Sequence, residues 1–473
     1  MRSLDQIIKA YDVRGIYPDQ LDSDLAHAVG AAFVQVLGIA ARDGGPGVVV
    51  IGHDMRPSGP ELVSAFADGV REQGCDVILI GLASTDGLYF ASGQLNIPGA
   101  MFTASHNPAQ YNGIKLCRAG AAPVGQDSGL REIREMIEND AIPSYDGPMG
   151  EISEQDMLTE YAKYLRQLVD ISGSRPLKVV VDAGNGMGGF TVPAVLGTGC
   201  GLPALPLEID ALYFELDGTF PNHHPDPADP HNLEDLIRCV QSTDCEIGLA
   251  FDGDGDRLGV VTKSGEIIWP DRQLILYARD VLSRCPGETI IYDVKCSRHV
   301  AVEIRKAGGV PLMCQTGHSL IKAKLAETGA PLAGEMSGHT FFKERWYGFD
   351  DGLYTGARLL EILSRSANAS AVLEGLPQGV STPELKIEMK EGEPHAVIER
   401  LQREAKFAGS TELITIDGVR AEYADGFGLA RASNTTPVIV LRFEGDTPEA
   451  LARIQDAFRA ELKLLAPHAH LPF

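Results

Sequence analysis

The chain has 473 residues, and 41 lysines and arginines against 65 aspartates and glutamates leave a formal net charge of −24. With 44% hydrophobic and 22% charged residues it has the composition of a globular protein of about three domains, not of a disordered, collagen-like or disulfide-scaffolded chain. The negative balance argues against nucleic acid or an anionic membrane surface as a partner. The N-terminus, Met1-Arg2-Ser3-Leu4-Asp5, lacks the apolar core of a secretory signal, and no apolar run approaches the ~18 residues of a membrane span. No two of the eight cysteines are separated by only two residues, which reads as reduced thiols in a cytoplasmic protein.

Three segments open alike. Gly47–Gly52 (GVVVIG), Leu177–Asp182 (LKVVVD) and Thr289–Val294 (TIIYDV) are β-branched runs, each followed by a polar turn and a helical pattern. After the first, Leu62, Ala65, Phe66 and Val70 recur at helical spacing, and Gly74 suits a C-terminal cap. Continuous apolar strands alternating with helices predict parallel sheets buried on both faces. Ala141–Gly150 and Gly375–Pro383 are linker-like, and a softer boundary falls near 264–270. Beyond the second linker, Thr415–Glu444 reads as short strands and turns, and Thr447-Pro448 opens a final helix to about Leu465. The expected fold class is α/β: three similar mixed α/β domains over 1–150, 151–264 and 265–376, then a smaller C-terminal α+β domain over 377–473.

Ligands of open α/β sheets bind beyond the carboxyl ends of the strands. After Ala100–Thr103 come Ala104-Ser105-His106-Asn107-Pro108, and a serine on a sharp turn can serve as nucleophile or phosphate carrier. His106 is adjacent in sequence and so poorly placed as a triad base, and no G-x-S-x-G elbow surrounds the serine. Lys115, after Asn112-Gly113, is close enough to return to it. The alternative is an Asn-Pro turn whose hydroxyl caps the next helix. After Ile247–Phe251, Asp252, Asp254 and Asp256 alternate with glycines and Arg257 follows. Three such carboxylates can converge on one hard cation and leave positions open, as suits Mg²⁺ bridging to a phosphate oxygen. Without a cation they would repel one another. An EF-hand is excluded, because Arg257 and Lys263 stand where its glycine and glutamate belong.

Glu335, Ser337 and His339 of Gly334–His339 (GEMSGH) can bond sugar hydroxyls or form an ordinary polar loop. Arg431, Ser433, Asn434, Thr435 and Thr436 make a basic, hydroxyl-rich turn suited to phosphate. Gly317-His318 precedes a helix containing Lys322. Gly184, Gly186 and Gly189 have G-x-G-x-x-G spacing, but Pro193 interrupts the helix a dinucleotide site needs, and a glycine-rich packing turn is the competing reading. No Walker A sequence occurs, and His223-His224 reads as an ordered turn.

In order and spacing, Phe102–Pro108 (FTASHNP) with Asn112–Lys115, DGDGDR at Asp252–Arg257, GEMSGH, and RASNTTP at Arg431–Pro437 resemble the α-D-phosphohexomutase family. Tyr11-Asp12-Val13-Arg14-Gly15 looks like that family's N-terminal signature. Met336, the PNHHPDP turn and DVKCSR around Lys295 resemble its bacterial phosphomannomutase/phosphoglucomutase branch. The resemblance covers essentially the whole chain. It implies four domains around a central cleft and an isomerase that interconverts hexose 1-phosphate and 6-phosphate through a phosphoserine. Ser105 would carry the phosphoryl group, with Arg14, His106 and Lys115 as catalytic partners. Asp252, Asp254, Asp256 and the phosphate on Ser105 would hold Mg²⁺. Tyr11, Arg257, Lys295, His318, Glu335, Ser337 and His339 would bind substrate, and Arg431, Ser433, Asn434 and Thr435 its non-reacting phosphate. A hexose 1,6-bisphosphate would be both intermediate and activator. The implied partners are small sugar phosphates; oligomeric state is not encoded. A phosphoglucosamine mutase, in which Gln is typical at the Met336 position, and a non-catalytic sugar-phosphate sensor are the competing functions.

Overall fold

The apolar run at 48–53 forms the strand Val48–His53, paired in parallel with Asp76–Leu82 on one side and Gly99–Phe102 on the other. The computed structural model describes residues 4–41, 47–390, 392–433 and 436–473. They fall into two compact units, 1–270 with 337–375, and 271–336 with 376–473.

In the first unit the leading sheet continues from Gly99–Phe102 through antiparallel Tyr111–Arg118 to antiparallel Val13–Ile16. Helix Gly59–Glu72 buries Leu62, Phe66 and Val70 against this sheet, with Phe66 edge-on to Phe102 at 5.4 Å. Gly74 follows at φ +75°, a conformation free of strain only for glycine. A second sheet runs Ile267–Ile268, Leu258–Thr262, Ile247–Phe251, Leu177–Asp182, Leu207–Leu212. Its last three strands are parallel, and Leu258–Thr262 returns antiparallel.

The sheets are therefore mixed, not parallel throughout. A parallel crossover needs a dozen or more residues. Only 103–110 separate one strand pair and only 252–257 the other, so the chain must double back. The serine turn and the aspartate loop singled out in the sequence sit in these short returns. Helix Gly188–Val195 also departs from expectation by running through Pro193, two residues before its end. The proline forfeits one backbone bond, to Gly189, without stopping the helix.

In the second unit Thr289–Asp293 lies between parallel neighbours Val310–Cys314 and Leu332–Gly334. The C-terminal sheet is antiparallel, in the order Val380–Ser381, Val438–Gly445, Gly426–Ala432, Val419–Tyr423, Glu412–Ile414. Helices Glu393–Glu404 and Pro448–Leu465 cover it through Val397, Leu401, Ile454 and Phe458. The Thr447 side chain caps the second by accepting from the Ala450 N–H. Two buried arginines of this sheet reach 271–336. Arg420 donates to the carbonyls of Val294 and Cys296, each at 2.6 Å, and Arg442 to that of Lys295 at 2.6 Å and to Asp271 at 3.0 Å.

Candidate active site

Ser105 lies early in the first return, in the left-handed region at φ +50°. Its N–H donates to Thr103 Oγ1 at 2.9 Å, and its Oγ donates to Asp252 Oδ2 at 2.7 Å. Arg257 Nη2 donates to Ser105 Oγ at 3.2 Å, and its Nε to Asp252 Oδ2 at 3.1 Å. Close backbone approach makes this meeting possible. A Cβ on Gly253 would fall 2.4 Å from the Ser105 carbonyl oxygen, and one on Gly186 would fall 2.6 Å from the Gly253 carbonyl oxygen. The Met187 N–H donates to that same Gly253 carbonyl at 2.9 Å. Gly186 thus serves packing of the aspartate loop, and a Cβ on Gly189 would fall 2.1 Å from the Phe214 carbonyl oxygen, which is the packing-turn reading rather than the dinucleotide one.

Asp252, Asp254 and Asp256 are all buried, with ligand oxygens within 4.8 Å of one another. Lys115 Nζ donates to Asp254 Oδ2 and Asp256 Oδ2, each at 2.7 Å, and Thr85 Oγ1 donates to Asp254 Oδ2 at 2.6 Å. The other oxygen of each, Oδ1 of Asp254 and of Asp256, is buried without a hydrogen-bond partner. Three carboxylates with two orphaned oxygens fit a hard divalent cation. Burial works against the Lys115 charge, but Asp254 and Asp256 outweigh it and hold its pKa well above the ordinary lysine value. Asp254 is likewise buried, yet Lys115 pulls it below the usual carboxylate range. Burial, reinforced by Asp256, pushes Asp252 well above that range.

His106 accepts a hydrogen bond at Nδ1 from Arg257, and burial together with that guanidinium pushes its pKa well down. It is a neutral imidazole here. Arg14 Nη1 donates to Asn107 Oδ1 at 2.7 Å, and Arg14 pairs with Asp12. Tyr11, half-buried, stands just before the strand Val13–Ile16 that carries Arg14. His339 forms a bridge pair with Arg257, and its Nδ1 lies 3.0 Å from Asp350 and 3.7 Å from Asp256. Ser337, half-buried, lies two residues earlier.

The remaining candidates belong to the second unit. Asp293, at the end of its strand, ties three loops together: Oδ1 accepts from the Met336 N–H at 3.1 Å and Cys296 Sγ at 3.0 Å, and Oδ2 from Thr316 Oγ1 at 2.9 Å. Those loops carry Glu335, Lys295 and His318. Glu335 accepts from the Gly317 N–H at 2.7 Å, and His318 opens helix His318–Thr328. Buried Lys295 donates to Glu384 at 2.6 Å. Arg431 Nε donates to Asp417 at 2.9 Å, and Asp417 also accepts from the Thr316 N–H at 3.0 Å. Ser433 Oγ accepts from the Thr436 N–H at 3.3 Å. Asn434 and Thr435 lie outside the described residues.

Several residues here escaped sequence reasoning: Thr85, Asp293, Asp350 and Asp417. Their one shared signal is a polar residue at a strand end or on a short turn, too common to select them.

Four family profiles match the chain in order: phosphoglucomutase/phosphomannomutase alpha/beta/alpha domain I over 5–142, domain II over 159–265, domain III over 269–379, and the C-terminal domain over 384–461. The chain belongs to the phosphoglucomutase/phosphomannomutase family. A phosphoglucomutase of Neisseria meningitidis serogroup A is 49% identical over 462 residues, 97% of this chain and 96% of that protein. A phosphomannomutase/phosphoglucomutase of Pseudomonas aeruginosa is 48% identical over 469 residues, 99% and 97% of the two chains. A solved family member from Burkholderia thailandensis superposes with a TM-score of 0.90 at 51% identity, covering 100% of both chains. The architecture of three α/β/α domains and a C-terminal domain is the one that the strand–helix alternation implies. The protein is an isomerase of the phosphohexomutase family, whose members use a metal ion. No helix among the described residues is long and apolar enough to cross a membrane.

Proposed function

We propose that this isomerase interconverts the 1-phosphates and 6-phosphates of mannose and glucose, with Ser105 as phosphoryl carrier. The observation that carries this reading is the Ser105 hydroxyl bonded to Asp252 and Arg257 beside the convergent aspartates. The sugar hydroxyl of a hexose 1-phosphate attacks phosphorus, the bond from phosphorus to Ser105 Oγ breaks, and a hexose 1,6-bisphosphate forms. The hydroxyl proton ends on Ser105 Oγ, where it bonds Asp252. After the bisphosphate turns over, its other phosphoryl group returns to Ser105 and the 6-phosphate leaves.

Phosphoserine carries about −1.5 to −2 charge near neutral pH. Arg257 and Lys115 are fixed cations that spread that charge as the group transfers, and fixed charges cost no reorganisation at that moment. Neutral His106 and Arg14 orient the loop and its phosphate. Mg²⁺ on Asp252, Asp254, Asp256 and the Ser105 phosphate would supply further charge neutralisation. Tyr11, Ser337 and His339, with Lys295, His318 and Glu335, are assigned to the sugar, and Arg431, Ser433, Asn434 and Thr435 to the non-reacting phosphate. A hexose 1,6-bisphosphate restores phosphoserine when it is lost. The cysteines resolved are all free thiols, which supports a cytoplasmic setting.

Phosphorus NMR with Mg²⁺ and a trace of glucose 1,6-bisphosphate tests this, offering mannose, glucose and glucosamine 1-phosphates in parallel. Conversion of the first two supports the proposal. Conversion of glucosamine 1-phosphate alone, or of none, overturns it in favour of an amino-sugar mutase or a sensor.

A further inference from the structure

Arg56 is buried, and all five of its guanidinium N–H groups are used. Nε donates to Asp54 Oδ2 at 3.2 Å, Nη1 to the carbonyls of Pro108 and Tyr111 at 2.9 Å each, and Nη2 to those of Ser105 at 2.9 Å and Asn107 at 2.7 Å. Four of the five bonds therefore end on backbone oxygens of the single segment 105–111. Asp54, fully buried, is the compensating carboxylate; it also accepts from the Arg56 N–H at 2.9 Å and bonds the Thr103 hydroxyl. Thr103 Oγ1 in turn accepts the Ser105 N–H at 2.9 Å. The ring of Phe220 covers the guanidinium at 5.2 Å.

This arrangement answers a question that the site leaves open. Ser105 holds φ +50°, a region that a serine occupies only where its surroundings over-determine it. Its side-chain contacts, Asp252, Arg257 and the His106 ring, are the ones that change when the hydroxyl is phosphorylated, so they cannot hold the backbone through a catalytic cycle. The bonds from Arg56 and Thr103 touch only main-chain atoms of Ser105 and survive that change. A planar fork of five donors is needed, and lysine, with three donors on one nitrogen, cannot reproduce it.

We propose that Arg56, with Asp54 and Thr103, is a positioning residue for the phosphoryl carrier: it locks the 105–111 backbone so that Ser105 Oγ faces the aspartate loop in both its free and phosphorylated states. The proposal rests on Ser105 being the carrier. It places Arg56 outside substrate contact, so its loss acts on turnover rather than on substrate binding.

Arg56→Lys keeps the charge and removes the fork. In the full-length protein kcat falls about 10²-fold while KM for the hexose 1-phosphate stays near its original value, as expected for a misplaced reacting atom. Amide hydrogen exchange accelerates in peptides covering 103–111 and stays unchanged in peptides covering the aspartate loop's supporting strands. Thr103→Val, which leaves the buried charges intact, gives the same pattern more weakly, and Thr103→Ser restores it; this pair decides the matter if Arg56→Lys does not fold. Unchanged kcat in both Arg56→Lys and Thr103→Val, or lost kcat with unaltered exchange at 103–111, overturns the proposal. A wild-type protein inactive on every hexose phosphate would defeat the assigned reaction instead, and the exchange comparison would still judge the lock.

Discussion

Ser105 Oγ and Asp252 Oδ2 are 147 residues apart in sequence and 2.7 Å apart in space. The bond joins the two short strand returns, so the hydroxyl proposed to carry phosphate and the carboxylates that can hold a cation meet through backbone geometry fixed by the first two sheets.

Ser105→Ala removes the oxygen to which phosphorus would be bonded. Turnover should fall by on the order of 10⁴-fold or more, the scale seen when a covalent nucleophile is deleted. Intact-mass measurement after treatment with glucose 1,6-bisphosphate should show an added phosphate on the wild type and none on the variant. Phosphate elsewhere on the variant would disqualify Ser105.

Lys115 sits 2.7 Å from both Asp254 and Asp256 in a buried cluster. In Lys115→Met the carboxylates lose their one direct ammonium partner. Breaking a buried pair from one side costs about 3–5 kcal/mol. Denaturant unfolding in EDTA should reveal a loss of that order, and adding Mg²⁺ should recover part of it, more than it adds to the wild type. Equal Mg²⁺ effects on both proteins would contradict the cluster's role as a cation site.

Tyr161 donates to Asp351 at 2.9 Å and to Asp86 at 3.3 Å, and the two carboxyls face each other in the interior. Burial pushes Asp351 up to about 6 and Asp86 well above its usual range. A raised acid binds its proton more tightly folded than unfolded. Below about pH 4 the group is protonated in both states and there is no penalty; between about pH 4 and 6 only the unfolded state has released its proton, so stability falls across that window and levels off above it. For Asp351 the loss is on the order of 3 kcal/mol. Asp351→Asn keeps the cap on helix Gly352–Leu363, where the side chain accepts from the Tyr354 N–H. Its stability should fall less than the wild type's between pH 4 and 7, read from urea midpoints. Parallel pH profiles would refute this.

Asp293 fastens the loops of Lys295, Thr316 and Met336. Asp293→Ala frees all three, and one lost anchoring bond is worth about 1 kcal/mol, or about fivefold in affinity. The expected result is a KM raised about tenfold or more with a smaller change in kcat. Asp293→Asn, which keeps one acceptor, should lie between. A fall confined to kcat would show that these loops do not serve substrate binding.

The aspartate loop was legible because its chemistry is contiguous: DGDGDR announces three carboxylates and the glycines that let them converge. Ser105 with Asn107-Pro108 announces a sharp turn. What the turn needs was not legible, because Arg56 lies 55 residues from Tyr111 and Thr85 lies 169 from Asp254. Neither residue stands in a motif of its own. The antiparallel returns were recoverable in principle, since 103–110 and 252–257 are too short for a helical crossover. Pro193 shows the opposite limit: a residue rule that holds on average yields to packing around one helix.

Arg420 and Arg442 donate to the carbonyls of Val294, Cys296 and Lys295, and Ser297 bonds Glu444 at 2.9 Å. The C-terminal domain is consequently not an exchangeable cassette. A chimera that grafts 376–473 from a relative onto this chain would pair foreign arginines with native main chain at each of these points. A graft that carries 271–336 along with it would transfer both halves of the joint intact, and that is where a breakpoint for recombining family members belongs.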